Sequence, residues 1–195
     1  EGDIQDYQLI SQLVQSHKIE TVVHFAACAY VGESVVDPKK YYHNNVIGTL
    51  LLLESLLDSG VKNIVFSSSC AVYGIPEQNP ISENHSLNPV NPYGDSKLFI
   101  EKILSSYRRS YGINYVSLRY FNAAGADPDG EIGEEHIPET HLIPLALKAC
   151  MENGETLKIF GNDYPTVDGS AIRDYIHVCD LASAHIEAIK YLSKE

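Results

Sequence analysis

Four short runs of apolar and β-branched residues, Thr21–Phe25, Asn63–Ser67, Asn114–Tyr120 and Thr156–Ile159, alternate with longer stretches of helical period. Apolar runs without polar alternation predict strands covered on both faces, which is the environment of a parallel sheet. The intervening stretches carry helix signals. From about Pro38 to Leu57, Val46, Leu50, Leu53 and Leu57 share one stripe, and Gly60 follows as a stop. From about Pro92 to Tyr111, Ile100, Leu104, Tyr107 and Tyr111 share another. Shorter helices are expected at Leu142–Glu152 and at Leu181–Leu192, the latter capped by Asp180. Strand alternating with helix predicts an α/β chain built on a doubly wound parallel sheet.

Three long irregular stretches, Cys70–Asn91, Asn122–Thr140 and Gly161–Ile172, each follow a predicted strand. Loops of that length in a compact domain are usually functional, and ligands of open α/β sheets bind at the carboxyl ends of the strands. The start, Glu1-Gly2-Asp3-Ile4, reads as the end of a strand without a partner. A dinucleotide-binding sheet opens on a Gly-rich loop, and none is present. The sheet is therefore expected to begin roughly 50 residues upstream, at about 30 residues per βαβ unit.

Composition excludes some partners. The net charge of −12 argues against nucleic acid and anionic membranes, both of which need clustered Lys and Arg. No apolar run approaches the ~20 residues of a membrane span. Nothing at the start resembles a signal peptide, and a cytoplasmic location is expected. The cysteines, Cys28, Cys70, Cys150 and Cys179, show no metal-like spacing. They read as reduced thiols, and no metal site is expected.

Tyr93-Gly94-Asp95-Ser96-Lys97 places a tyrosine and a lysine four residues apart. In a chain with 13 tyrosines that spacing alone is weak. Its position strengthens it, because Tyr93, Lys97, Ile100 and Leu104 fall on one stripe that should face the core. An inward lysine is costly unless it has a partner or a task. An ammonium about 4 Å from a phenol contributes about 4 kcal/mol at an effective dielectric near 20. That is roughly three pKa units below a normal value of about 10. Tyr93 is then a candidate general acid and base. Ser67-Ser68-Ser69 ends a predicted strand at the edge where a substrate should lie, and Ser69 is the third candidate.

The chain resembles the extended short-chain dehydrogenase/reductase superfamily over essentially its whole length. The resemblance rests on Phe66–Gly74 with its three serines and Val72-Tyr73-Gly74, on His24-Phe25-Ala26-Ala27, and on Asn44-Asn45-Val46-Ile47-Gly48-Thr49. Leu118-Arg119-Tyr120-Phe121-Asn122 and Arg173-Asp174-Tyr175-Ile176-His177-Val178 extend it. Within the superfamily the run Ile159–Ser170, with Gly133-Glu134 and Thr140–Pro144, is similar to the epimerases of nucleotide sugars.

The resemblance implies a Rossmann-like fold and NAD as cofactor. It also implies interconversion of UDP-glucose and UDP-galactose through a transient 4-keto sugar. It implies Ser69, Tyr93 and Lys97 as catalytic residues. It places Asp3 and Ile4 near the adenine, and Phe25, Ala26, Ala27, Cys28 and Ala29 along the pyrophosphate. Asn44, Ser67, Tyr120 and Phe121 complete the cofactor set with Ser69, Tyr93 and Lys97. For the UDP-sugar it implies Asn122 and Arg173 at the diphosphate, with Leu142 and Phe160 near the uridine, besides Ser69 and Tyr93. His141 joins that set at a position where other members carry Asn. Residues 1–122 are expected to form a partial NAD-binding domain. Residues 123–195 should belong mainly to a smaller, incomplete α/β substrate domain, the chain crossing back to the NAD-binding domain near 173–192. A homodimer through the helices near 38–57 and 92–111 is also implied.

Two other classes stay open. Nucleotide-sugar dehydratases and decarboxylases share the Tyr-Lys pair but place acidic residues where this chain has Cys70 and Ala71. A non-catalytic nucleotide-binding module would not need an intact Ser69, Tyr93 and Lys97.

Overall fold

A computed structural model describes residues 2–151 and 156–194, in two compact units: residues 2–120 with 184–194, and residues 121–183. In the first unit β1 (Thr21–His24), β2 (Asn63–Ser67) and β3 (Asn114–Leu118) form a parallel sheet in the order β1-β2-β3. The register pairs Val23 with Val65 and Val65 with Val116. Successive side chains point to opposite faces. On one face Ile64 and Phe66 pack with Leu52, Leu53 and Leu56 of α4 (Gly48–Asp58) and with Ile100 and Leu104 of α5 (Pro92–Tyr111). Val14 of α1 (Tyr7–His17) joins them. On the other face Val65, Val23 and Val116 meet Ala188, Ile189 and Leu192 of α7 (Val178–Leu192). Both faces are covered, so the strands are apolar throughout.

The boundaries of α5 match the sequence reading and have local causes. The Asn91 side chain accepts from the Gly94 amide, Pro92 takes the first turn, and Gly112 closes the helix at φ 69°. The helical run from 38 to 58 departs from a plain α-helix. It consists of α3 (Pro38–Tyr41), a π-helical segment (Tyr42–Ile47) and α4. Its expected stripe holds in part. Leu53 is buried and Leu57 packs against the core, whereas Val46 and Leu50 are only partly buried and Asn45, Thr49, Leu52, Ser55 and Leu56 face inward. The extra residue per turn of a π segment rotates the helix that follows it. Polar residues tolerate the core because they are bonded there: Thr49 Oγ1 donates to Asn45 O at 2.5 Å.

Other expectations are corrected. Residues 156–159 form no strand, and residues 3–4 form no strand end; Ile4 enters a turn ahead of α1. The first helix begins where the Asp6 side chain accepts from the Leu9 amide. α7 starts three residues earlier than expected, so Asp180 lies in its first turn and is not its cap. A short helix α2 (Val31–Val36) precedes α3. The second unit contains β4 (Asn122–Ala124) parallel to β5 (Tyr175–His177), and α6 (Leu142–Cys150). The last residue of the helix expected at 142–152 falls outside the described residues. Among the described residues no helix is long and apolar enough to cross a membrane.

Candidate active site

In the first unit the carboxyl edge of β2 meets the first two turns of α5. Ser67 ends the strand, and Ser69 caps a 3-10 turn (Cys70–Tyr73) by accepting from the Ala71 amide. Gly74 follows at φ 71°, where an added Cβ would lie 1.9 Å from the Asn88 carbonyl oxygen, so only glycine fits. Lys97 is 3% exposed and donates to the Ser67 carbonyl at 2.7 Å. Its ammonium lies 5.7 Å from the centre of the Tyr93 ring and 5.0 Å from that of Phe66. The Ser69 hydroxyl lies near enough to the Tyr93 phenol to lower its pKa. The three residues singled out in the sequence therefore converge.

The electrostatics differ from the sequence expectation. Burial raises the Tyr93 phenol, and the Ser69 hydroxyl offsets that only in part. Burial also pushes Lys97 down to about 8. The lysine and the tyrosine are desolvated together, and desolvation disfavours the charged form of each. The simple pairing of Lys97 with a depressed Tyr93 is thus not what the geometry holds.

Beside this set, Asn45 does work that the sequence reading passed over in favour of Asn44. The Cys28 amide donates to Asn45 Oδ1 at 2.8 Å, and Asn45 Nδ2 donates to Cys28 O at 3.1 Å and to Ser96 Oγ at 3.1 Å. This clamps the loop after β1 against α5. Asn44 only donates to Asn45 Oδ1, at 3.0 Å. The loop presents Phe25, Ala26 and Ala29 to solvent, with Ala27 and Cys28 half-buried. Tyr120 contacts Ser67 Oγ through its hydroxyl. Asp3 is exposed and accepts from the Gln5 amide, and Ile4 packs against Gly48.

His24, at the end of β1, is buried and bonded to Thr49 Oγ1 at 2.8 Å. Burial, aided by the Lys97 charge, lowers its imidazole to about 4. The unfolded chain takes up this proton near pH 6.5, the folded chain only near 4. The contribution of neutral His24 to stability is therefore lost as pH falls from about 6.5 to about 4. His24→Gln is expected to flatten the acid limb of the stability curve in that window, measured by urea unfolding at a series of pH values.

In the second unit, Asn122, His141, Leu142, Phe160 and Arg173 all line one cavity of about 870 Å³. Asn122 Nδ2 donates to the Asp174 carbonyl at 2.7 Å, which ties β4 to the segment leading into β5. Arg173 donates to the adjacent Ile172 carbonyl, and Phe160 is 96% exposed on the cavity rim. Phe121, the remaining expected cofactor residue, precedes β4 and is half-buried.

A parallel sheet with helices on both faces, and a serine, tyrosine and lysine gathered at its carboxyl edge, define a Rossmann-like α/β protein. The profile of the NAD dependent epimerase/dehydratase family matches residues 1–195, and the chain belongs to that family. It is 56% identical to UDP-glucose 4-epimerase of Halalkalibacterium halodurans over 194 residues, which are 100% of this chain and 58% of the relative. The corresponding protein of Lacticaseibacillus casei is 53% identical over 192 residues, 98% of this chain and 58% of the relative. The crystal structure of UDP-glucose 4-epimerase from Brucella ovis in complex with NAD matches at a TM-score of 0.96 and 52% identity, covering 100% of this chain and 60% of that one. The enzyme from Bifidobacterium longum in complex with NAD+ and UDP matches at 0.88 and 42% identity, covering 97% and 58%. The chain thus spans about 58% of the length of the curated relatives it matches.

Proposed function

We propose that the whole protein is an NAD-dependent epimerase that interconverts UDP-glucose and UDP-galactose, with the first unit supplying the chemistry and the second the nucleotide site. The observation that carries this reading is the Ser69, Tyr93 and Lys97 set, with Ser69 and Lys97 buried and Tyr93 half-buried, in a chain more than half identical to UDP-glucose 4-epimerases.

The residues present fit the cofactor. Lys97 is buried with three N–H donors and, among the described residues, one acceptor, Ser67 O, which leaves two donors for ribose hydroxyls. The small side chains of Ala26, Ala27, Cys28 and Ala29, on a loop that Asn45 holds, suit close approach of a pyrophosphate. Phe25, Asn44, Ser67, Tyr120 and Phe121 complete the set, with Asp3 and Ile4 toward the adenine. NAD, when bound, supplies reversible oxidation at the sugar C4.

The chain's own residues handle the proton. Tyr93 accepts the proton of the C4 hydroxyl and later returns it to the opposite-facing oxygen. Ser69 holds that oxygen by hydrogen bond and passes the proton. Lys97 stays charged at neutral pH, below its value of about 8, and in this reading favours the phenolate form of Tyr93 that takes up the proton. In the second unit, Arg173 and Asn122 suit the diphosphate, and Leu142, Phe160 and His141 the uridine side. The second unit's cavity is of a size typical for small organic ligands.

A homodimer forms, in this reading, through the helical run 38–58 and α5. These helices pack on each other and leave Ile47 and Phe99 exposed. The activity test is to incubate the purified whole protein with UDP-galactose and no added cofactor. Formation of UDP-glucose, with NAD released on denaturation, supports the proposal. Bound NAD without interconversion overturns the substrate assignment.

A further inference from the structure

In the second unit, the segment leading into α6 gathers Glu134, His136, Glu139 and His141. One nitrogen or oxygen of each lies within 4.8 Å of the others. His136 Nδ1 is 2.9 Å from Glu134 Oε1 and 3.8 Å from Glu139 Oε1, and His141 Nδ1 is in contact with Glu134 Oε1. We propose that Glu134, His136, Glu139 and His141 form a binding site for a divalent zinc-like cation. Ligand atoms about 2.1 Å from a tetrahedral metal lie about 3.4 Å from one another. Separations of 2.9 and 3.8 Å straddle that value, and none among the four donors exceeds 4.8 Å, so modest side-chain rotations would close the shell.

The donor set selects the metal. Two imidazoles with two carboxylates suit zinc and its neighbours, whereas magnesium and calcium demand oxygen donors. Two carboxylates also balance a dication. The outer contacts are in place as well. The amides of Thr140 and His141 donate to Glu139 Oε1 at 2.7 and 2.8 Å, fixing that carboxylate on the turn.

A second cavity, of about 380 Å³, is lined by Glu134, His136 and His141 together with Cys179, and gives access from one side. Glu134 and His141 also line the larger cavity. Four protein ligands make a closed, structural site, whose bound metal would hold residues 134–141 and the start of α6 at the wall of the larger cavity. The cysteines carry no metal-like spacing. The sequence signal for this site is Glu-x-His-x-x-Glu-x-His over residues 134–141. The site shares His141 with the proposed uridine side, where a bound metal would fix that imidazole in place.

The test strips the whole protein with a chelator and titrates it with zinc against a chromophoric competitor. Cobalt substitution then reads the ligand field. One zinc per chain is expected, with a tetrahedral cobalt spectrum. His136→Ala and Glu139→Gln should each weaken zinc by at least about tenfold, while circular dichroism and NAD content stay unchanged. No stoichiometric zinc binding would show a proton-sharing surface cluster only and would overturn the site. So would undiminished affinity in both variants, or an octahedral cobalt spectrum insensitive to His136→Ala. If His136→Ala alone fails to fold, Glu139→Gln carries the decision.

Discussion

Tyr93→Phe is expected to lower kcat for UDP-galactose conversion by about 10²–10⁴-fold, the usual contribution of a positioned acid–base group. The ring itself should not move. It lies edge-on to Tyr41 at 6.5 Å and keeps that packing without its hydroxyl. NAD released on denaturation and the affinity for UDP should therefore match the parent. This split separates loss of proton transfer from loss of structure. A kcat within tenfold of the parent would remove Tyr93 from the proposed role. The pKa directions sharpen the same experiment. The phenol is raised by burial, so under the proposed mechanism the phenolate needs the Lys97 charge beside it. Lys97 loses its proton through about 8, so the parent should lose activity as pH rises past that value. The residual activity of Tyr93→Phe should not share that limb, since no phenolate remains for Lys97 to stabilise.

The parts of this site that were legible in the sequence are those fixed by local signals. Asn91, Pro92 and Gly112 each act within one turn of the helix they bound, so α5 and its inward lysine could be read directly. Ser69 and Tyr93 were legible because a strand end and a helix start are both local features. What escaped depended on tertiary context. Asn44 and Asn45 are adjacent and chemically identical, and only the π-helical segment decides which one enters the core. The same rotation turned Val46 and Leu50 partly away from the core, while Leu53 of the expected stripe stays in it. Residues 156–159 have strand composition, yet no neighbouring strand pairs with them among the described residues, and composition cannot supply a partner. The Tyr93 expectation failed for a related reason. A pairwise Coulomb argument counted the Lys97 charge but not the burial that both groups share.

Glu101→Ala is expected to destabilise the fold by about 3 kcal/mol, near the lower bound for breaking a buried ion pair. Glu101 is buried on α5, one turn beyond Lys97. Its carboxylate accepts from Ser68 Oγ at 2.5 Å and from Arg119 Nη2 at 2.6 Å, with Arg119 Nε at 2.9 Å. Arg119 in turn stacks 5.2 Å from the Tyr73 ring and donates to Glu83 O. Removing the carboxylate strands a guanidinium and leaves a buried serine without its acceptor, and both are costly. Ser68 sits between Ser67, which accepts from Lys97, and Ser69, which meets Tyr93. The same substitution should thus loosen the catalytic edge as well as the fold. Urea unfolding should show a lower midpoint at an unchanged m-value. The double variant Glu101→Leu with Arg119→Met, which removes the pair together, should recover part of the stability because no unpaired charge remains. A single variant as stable as the parent would mean that solvent reaches Arg119 freely and that the network does not hold the strand end. A double variant that regains stability but not turnover would show that the network's second task is to hold Ser68, and with it Ser69, in position.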